Sequence, residues 1–187
     1  MTLQTREITK ETKKNKEAFE EVANLYRTAF PKQEQADLGF IFNLTKKDTV
    51  RFHGFYDGDT FVGLAYTLTY KDMTYLWYLA ITSEVRGSGY GSQVMALLEE
   101  LYPDQRIVLN LDMQDENASD AGIRQKRKEF YLKNGYETAD YGCIFNKNHL
   151  DVMTIRGDVA PDEFLSIFKY NFGPLLGRLI KPKILNE

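Results

Sequence analysis

Hydrophobic and polar positions along this chain change period several times, and each change marks an element. Thr5 to Ile8 reads as a short first strand. After the solvated run Lys10 to Lys16, Phe19, Val22, Ala23, Tyr26 and Phe30 recur on one face of a helix that Pro31 ends. A second, weaker helix covers Gln35 to Leu44, with Leu38, Ile41 and Leu44 inward. Thr49 to Tyr56 alternates as a strand, Asp57-Gly58-Asp59 turns the chain, and Thr60 to Tyr70 is the next strand. Lys71-Asp72 is another tight turn, into a strand from Met73, so strands two to four form an antiparallel meander.

That fourth strand runs into a polar turn (Ser83, Glu84, Val85) and then Arg86-Gly87-Ser88-Gly89-Tyr90-Gly91. A helix follows, with Val94, Leu97, Leu98 and Leu101 at i, i+3, i+4 and i+7. Pro103-Asp104 breaks it, and Arg106 to Met113 is a buried strand, expected parallel to the fourth through a right-handed crossover. A polar connection, Gln114 to Ala121, leads to a basic helix ending at Asn134-Gly135. Strands over about Thr138 to Asn146 and Val152 to Arg156 come next. Pro161 then starts a helix with Phe164, Leu165, Phe168 and Phe172 inward. Gly173-Pro174 interrupts it, and Leu175, Leu176, Leu179 and Ile180 continue the apolar stripe to Pro182.

Composition bounds the function. The 187 residues suit one domain with a short appendage: residues 1–157 as the domain, and 158–187 as a helical extension packed on it. No stretch approaches the ~20 apolar residues of a membrane span, and the N-terminus has no secretory apolar segment. The lone Cys143 excludes an internal disulfide framework and suits a reducing cytoplasm. A net charge of −3 argues against nucleic acid as partner. The two histidines, His53 and His149, lack neighbours at metal-ligand spacing, so no metal is expected.

The glycine turn is the candidate chemistry. The first turn of a helix leaves amide N–H groups without partners, and three glycines in five residues let an oxyanion approach the backbone. A phosphate or pyrophosphate is therefore expected at Arg86 to Gly91, against the plainer reading of a tight turn that binds nothing.

A meander, one βαβ crossover and a further helix–strand pair, in that order, is similar to the GNAT superfamily of N-acyltransferases. The family's acyl-CoA signature, [RQ]-x-x-G-x-[GA] after the fourth strand, is matched by Arg86-Gly87-Ser88-Gly89-Tyr90-Gly91. A second family element, an aromatic-Tyr pair ahead of Gly and an aromatic, is matched by Phe130-Tyr131-Leu132-Lys133-Asn134-Gly135-Tyr136. The resemblance covers roughly residues 5 to 157. It implies an α/β fold of the α+β type, with a mixed, mostly antiparallel sheet of about six or seven strands flanked by helices, plus the C-terminal extension. It also implies acetyl-CoA as acyl donor to a primary amine on a small molecule or peptide.

In that family the turn's amides, here Arg86 to Gly91 with Ser92 beyond, hold the coenzyme's pyrophosphate. The Val85 backbone lies along the pantetheine arm. A fourth-strand amide near Leu79, Ala80 or Ile81 faces the thioester carbonyl, beside a gap between the fourth and fifth strands. Tyr131 would protonate the leaving thiolate. Where the family often carries Asn seven residues before that Tyr and a small residue four before it, this chain has Arg124 and Arg127. Arg124 then becomes a candidate phosphate ligand.

The base is open. The family's fourth-strand Glu corresponds to Tyr75, a poor base at pKa ~10. Glu84 reads as a solvated turn residue, and Asp112 at the end of the fifth strand is the better carboxylate. Trp77, Tyr78, Phe52, Phe55 and Phe61 read as core and Cys143 as an inert thiol, while the resemblance, which builds the acceptor wall from the first two helices and their loop, makes Phe40 and Phe42 candidates for that wall. Two rivals remain. One is a non-catalytic acyl-CoA sensor that kept the pyrophosphate site. The other is a Rossmann NAD(P) oxidoreductase, disfavoured because Ser92 stands where its third glycine belongs. The tail's apolar stripe is expected to be buried, as a lid over the acceptor site, as the element of a homodimer or as a packed surface helix; no membrane partner is expected.

Overall fold

The computed structural model describes residues 3–9, 12 and 15–186. Its elements are β1 (Leu3–Glu7), α1 (Lys16–Ala29), α2 (Leu38–Leu44), β2 (Val50–Asp57), β3 (Thr60–Tyr70), β4 (Met73–Ile81), α3 (Tyr90–Leu101), β5 (Arg106–Asp112), α4 (Ala121–Lys133), β6 (Glu137–Phe145), β7 (Asn148–Ile155), α5 (Pro161–Ile180) and β8 (Lys183–Asn186). The strands hydrogen-bond in the order β1-β2-β3-β4-β5-β7-β6-β8. The fold is the mixed α/β architecture expected, with eight strands rather than six or seven. The extra one is β8, which pairs with β6 through Cys143 opposite Ile184. Its four residues follow Pro182 and show no alternation long enough to read.

The chain divides into two compact units, parting within β3 after Leu68 and within β4 between Tyr75 and Leu76. The first holds the described residues up to Leu68 together with Leu76–Pro103. Here β1 and β2 are antiparallel, with Thr5 opposite Phe55, and β2 and β3 form the expected hairpin, with His53 opposite Ala65. Val22, Ala23, Ile41, Phe52, Phe55, Leu64, Tyr66, Val94 and Leu98 are its core.

Phe42 belongs to that core, with ring contacts of 5.6 Å to both Phe19 and Phe52. Helix α2 begins at Leu38 rather than Gln35, because the Asp37 carboxylate accepts from Phe40 N–H and caps it there. Gln35 closes α1 instead, donating Nε2 to the carbonyls of Arg27 and Phe30.

Three buried tyrosines pin this α1–α2 segment. Tyr78 Oη donates to the Glu34 carbonyl at 2.7 Å and accepts from Ala36 N–H at 3.1 Å. Tyr26 donates to the Ala36 carbonyl and Tyr66 to the Ile41 carbonyl. Each phenol ties down backbone of this segment, and burial raises all three pKa values.

The second unit holds Thr69–Tyr75 and the chain from Asp104 onward. Strands β5, β7, β6 and β8 are antiparallel neighbours, with Leu109 opposite Met153. Strand β7 starts at Asn148, four residues before the expected Val152. The reason is a two-residue β6–β7 turn in which Asn146 and Lys147 both take the left-handed conformation (φ 48° and 71°). Phe164 and Phe168 of α5 pack on Tyr75 at 5.5 and 5.3 Å. As expected from Gly173-Pro174, α5 breaks at Gly173, where φ is 79°.

Arg106 ties this unit together. It grips Glu163 with both terminal nitrogens (2.9 and 3.1 Å), Asp72 through Nε (2.9 Å) and the Asp158 carbonyl through Nη1. Glu163 also caps α5 by accepting from Ala160 N–H. The Arg106 hydrogen bonds, helped by that amide, hold the Glu163 carboxyl down to about 2. A lowered folded-state value stabilises the fold above the unfolded value of ~4.3, and that gain is lost as pH falls through about 2. Because Glu163 is partly exposed, Glu163→Gln is expected to cost only about 1 kcal/mol at pH 7. Urea denaturation should show the gap to wild type closing between pH 4.5 and 2; a pH-independent gap would mean that the lost contact is not the ion pair.

Candidate active site

The turn between β4 and α3 is built for open amides. A short 3₁₀ turn, Ser83–Val85, leads into Gly87 (φ 80°) and Gly89 (φ 86°, ψ −4°). Left-handed geometry of this kind costs an L-residue about 1–2 kcal/mol, which accounts for glycine at both places. Gly89 is the N-cap of α3 and supplies no side-chain cap. Val85, Arg86 and Ser88 N–H close long turn bonds of 3.3–3.4 Å to Thr82, Ser83 and Val85 carbonyls. Among the described residues, no acceptor lies within hydrogen-bonding geometry of the Gly87, Gly89, Tyr90, Gly91 or Ser92 amides. A Cβ built on Gly87 would meet nothing within 4 Å, so that side of the turn is open.

Flanking groups fix the turn. The Arg86 guanidinium folds back, donating Nε to the Ile81 carbonyl at 3.1 Å. Tyr90 Oη donates to Asp57 at 2.6 Å, anchoring the start of α3 to the end of β2. Glu84 is exposed; its own amide and the Ser83 hydroxyl hold its pKa below the usual carboxylate range. In β4, Ala80 is buried while Leu79 and Ile81 are half-buried. Strand β3 passes so close that a Cβ on Gly63 would sit 2.6 Å from the Ala80 carbonyl.

In the second unit, Tyr131 occupies the last turn of α4, and the chain beyond it explains the second sequence pattern. Tyr136 N–H donates to the Tyr131 carbonyl and Gly135 N–H to the Leu132 carbonyl, with Gly135 at φ 84°. This is a Schellman motif, and its apolar clasp is the 5.7 Å contact of the Tyr131 and Tyr136 rings. The spacing Tyr-x-x-x-Gly-Tyr is thus what the helix stop demands, and it locks the Tyr131 ring in place. Tyr131 is only 9% exposed. Burial pushes its phenol up to about 12, with Arg127 one turn earlier opposing the shift. Among the described residues no group hydrogen-bonds its hydroxyl. At neutral pH it is therefore a protonated donor with no partner.

Asp112 ends β5, and its Oδ2 accepts from Arg127 Nη1 at 3.3 Å. Arg127, which stands where the family often has a small residue, thus pairs with one candidate catalytic group of this unit and acts electrostatically on the other. Lys128 is likewise spent on Asp151 at 2.7 Å. Arg124 donates Nε to Asp120 (2.9 Å) and Nη1 to the Met113 carbonyl (3.0 Å), clamping the 113–120 connection on the start of α4. A phosphate contact from Arg124 would have to use Nη2. Asp112, Met113, Arg124, Lys147 and His149 are among the residues lining a polar cleft of about 430 Å³.

The remaining candidates fall into the structure quietly. Cys143 is fully buried, receives a weak bond from Asn110, and burial pushes its thiol to about 12. His53 is buried against Tyr102, with its pKa lowered to about 4 by burial. Among the described residues no cluster of three or more His, Cys, Asp or Glu could hold a metal.

Residues 19–136 match the family model described as the acetyltransferase (GNAT) family. A GNAT-family acetyltransferase candidate from Bacteroides thetaiotaomicron shares the fold at TM-score 0.73, with 18% identity over 93% of this chain and 98% of that one. An aminoglycoside 6′-N-acetyltransferase complexed with coenzyme A aligns at TM-score 0.62, with 19% identity over 83% and 99% of the two chains. The PaiA N-acetyltransferase of Thermoplasma acidophilum, also complexed with coenzyme A, aligns at 0.59, with 15% identity over 84% and 100%. No curated protein matches the chain in sequence. At these identities the structures speak for the fold, and the family model speaks for the lineage: the chain belongs to the GNAT family of acetyltransferases.

Proposed function

We propose that this protein transfers an acetyl group from acetyl-CoA to a primary amine of a small molecule or peptide. The observation that carries the reading is the β4–α3 turn, whose open amides fit the coenzyme's pyrophosphate. Gly87, Gly89, Tyr90, Gly91 and Ser92 N–H would hold it, with Arg86 and Ser88 shaping the turn and the Val85 backbone beside the pantetheine arm. Acetyl-CoA supplies a thioester with a thiolate leaving group.

Backbone N–H at Leu79, Ala80 or Ile81 would polarise the carbonyl under attack, a role typically worth about 3 kcal/mol. Tyr131 would deliver its proton to the departing sulfur. A buried phenol is protonated at every physiological pH, and the task is modest because a thiol's pKa is only ~8.5. The amine must lose a proton. For a lysine-like acceptor at pKa ~10.4 that costs roughly 4.6 kcal/mol at pH 7. Asp112 is the carboxylate we assign to this step, through the oxygen that Arg127 leaves free.

That ion pair also favours a second reading, an acyl-CoA-binding module without turnover, because it gives the carboxylate proposed as base a structural partner. Two measurements separate the readings. Acetyl-CoA is expected to raise the melting temperature by several degrees, and NADP⁺ not at all. Thiol release from acetyl-CoA, followed with a chromogenic disulfide across polyamines, aminoglycosides, amino acids and peptides, should reveal at least one acceptor. Binding without turnover on any amine would select the module, and stabilisation by NADP⁺ alone would overturn both.

A further inference from the structure

The C-terminal segment lies outside the family match and has a character of its own. Between Phe164 and Asn186 there is no Asp or Glu, but there are four cations, Lys169, Arg178, Lys181 and Lys183, in a protein whose net charge is −3. None of the four forms an ion pair among the described residues. The same segment carries the most exposed leucines of the described chain, Leu175 at 79% and Leu179 at 76%, with Leu176 at 38%.

The break at Gly173 sets their direction. Beyond it Gly177 is buried, and a Cβ there would fall 2.7 Å from the Phe168 carbonyl and 2.9 Å from Lys169 Cα. The second half of α5 therefore lies against the first through the Gly177 side. At about 100° per residue, Leu175 and Leu179 point some 160° away from that contact, into solvent. Arg178, between them in sequence, and Lys181 line a neighbouring cleft of about 500 Å³ together with Lys169, Leu165 and Pro174; Asp162 is the carboxylate that lines it.

We propose that this segment, Gly173 to Lys183, docks on an anionic lipid surface. Leu175 and Leu179 enter the boundary between headgroups and acyl chains, while Arg178 and Lys181, supported by Lys169 and Lys183, meet headgroup phosphates. An apolar ridge flanked by unpaired cations is the pattern of an interfacial helix, which lies in the membrane surface and does not cross it. No helix among the described residues is long and apolar enough to cross one. A second copy of the chain fits this face poorly, because a two-fold interface would set like charges against each other. Three leucines also fall well short of the ~800 Å² per partner that a stable protein interface needs.

The test is co-sedimentation of the full chain with vesicles of phosphatidylcholine alone or with 30% phosphatidylglycerol. Wild type is expected to pellet with the anionic vesicles only, and to be released by 0.5 M salt. Leu175→Ser/Leu179→Ser should abolish pelleting at an unchanged melting temperature. Arg178→Gln/Lys181→Gln should weaken it roughly thirtyfold, since each cation near such a surface contributes about 1 kcal/mol. Wild type remaining in the supernatant with both vesicles overturns the proposal, as does either double variant pelleting like wild type. Sedimentation velocity without lipid supplies the other outcome: a dimer dissolved by the leucine pair would give this face to a second copy.

Discussion

Tyr131→Phe is expected to lower kcat for acetyl transfer about a hundredfold, with KM for acetyl-CoA changed less than threefold. Proton transfer by a positioned acid contributes typically 10²–10⁴-fold, and the low end applies because a thiolate leaves readily. The substitution is clean. The ring keeps its contacts with Phe130 and Tyr136, and the hydroxyl that is removed has no hydrogen-bond partner among the described residues. The fold should lose little, because the Tyr131 hydroxyl is not among the buried unpaired atoms of the described residues and no protein hydrogen bond goes with it.

The pH dependence follows the same logic. Burial holds the phenol protonated up to about 12, so activity carried by its proton is present below that value and declines only as pH rises toward it. Any alkaline limb below pH 10 must belong to another group and should survive in Tyr131→Phe. Activity within threefold of wild type would reduce Tyr131 to the apolar clasp of its Schellman motif.

Gly89→Val should raise Kd for coenzyme A at least tenfold, measured by titration calorimetry. A β-branched residue at φ 86° is strained by more than the ~1–2 kcal/mol paid by an ordinary L-residue, so the turn relaxes and its amides disperse. Gly122→Ala in α4 is the control. A Cβ there meets nothing within 4 Å in a helical backbone, so binding should be unchanged and stability slightly raised. Equal Kd values for Gly89→Val and wild type would mean that the turn's shape is irrelevant to the coenzyme.

Much of this architecture is legible in the residues because local rules and packing agree there. The meander, the helix after the glycines and the stop at Gly135 each follow from a period or a turn signal that the tertiary structure has no reason to override. The turn's open amides were readable for the same reason: glycines between a strand and an amphipathic helix leave the backbone little else to do. What escaped is long-range. Strand β8 exists because β6 offers it an edge, and nothing within four residues announces that. Phe42 is an acceptor-wall candidate only through the family resemblance, yet it packs on Phe19 and Phe52. Arg127 and Lys128 belong to a helix legible only as basic, but β5 and β7 bring Asp112 and Asp151 to them across 15 and 23 residues. Arg124 shows the same effect, since its partners Asp120 and Met113 draw it inward.

Backbone amide chemical shifts on titration with coenzyme A test the central claim most directly. The largest downfield changes are expected on Gly87, Gly89, Tyr90, Gly91 and Ser92, the N–H groups that gain an anionic acceptor. Saturable binding with those five resonances unmoved, and the changes clustered elsewhere, would contradict that claim.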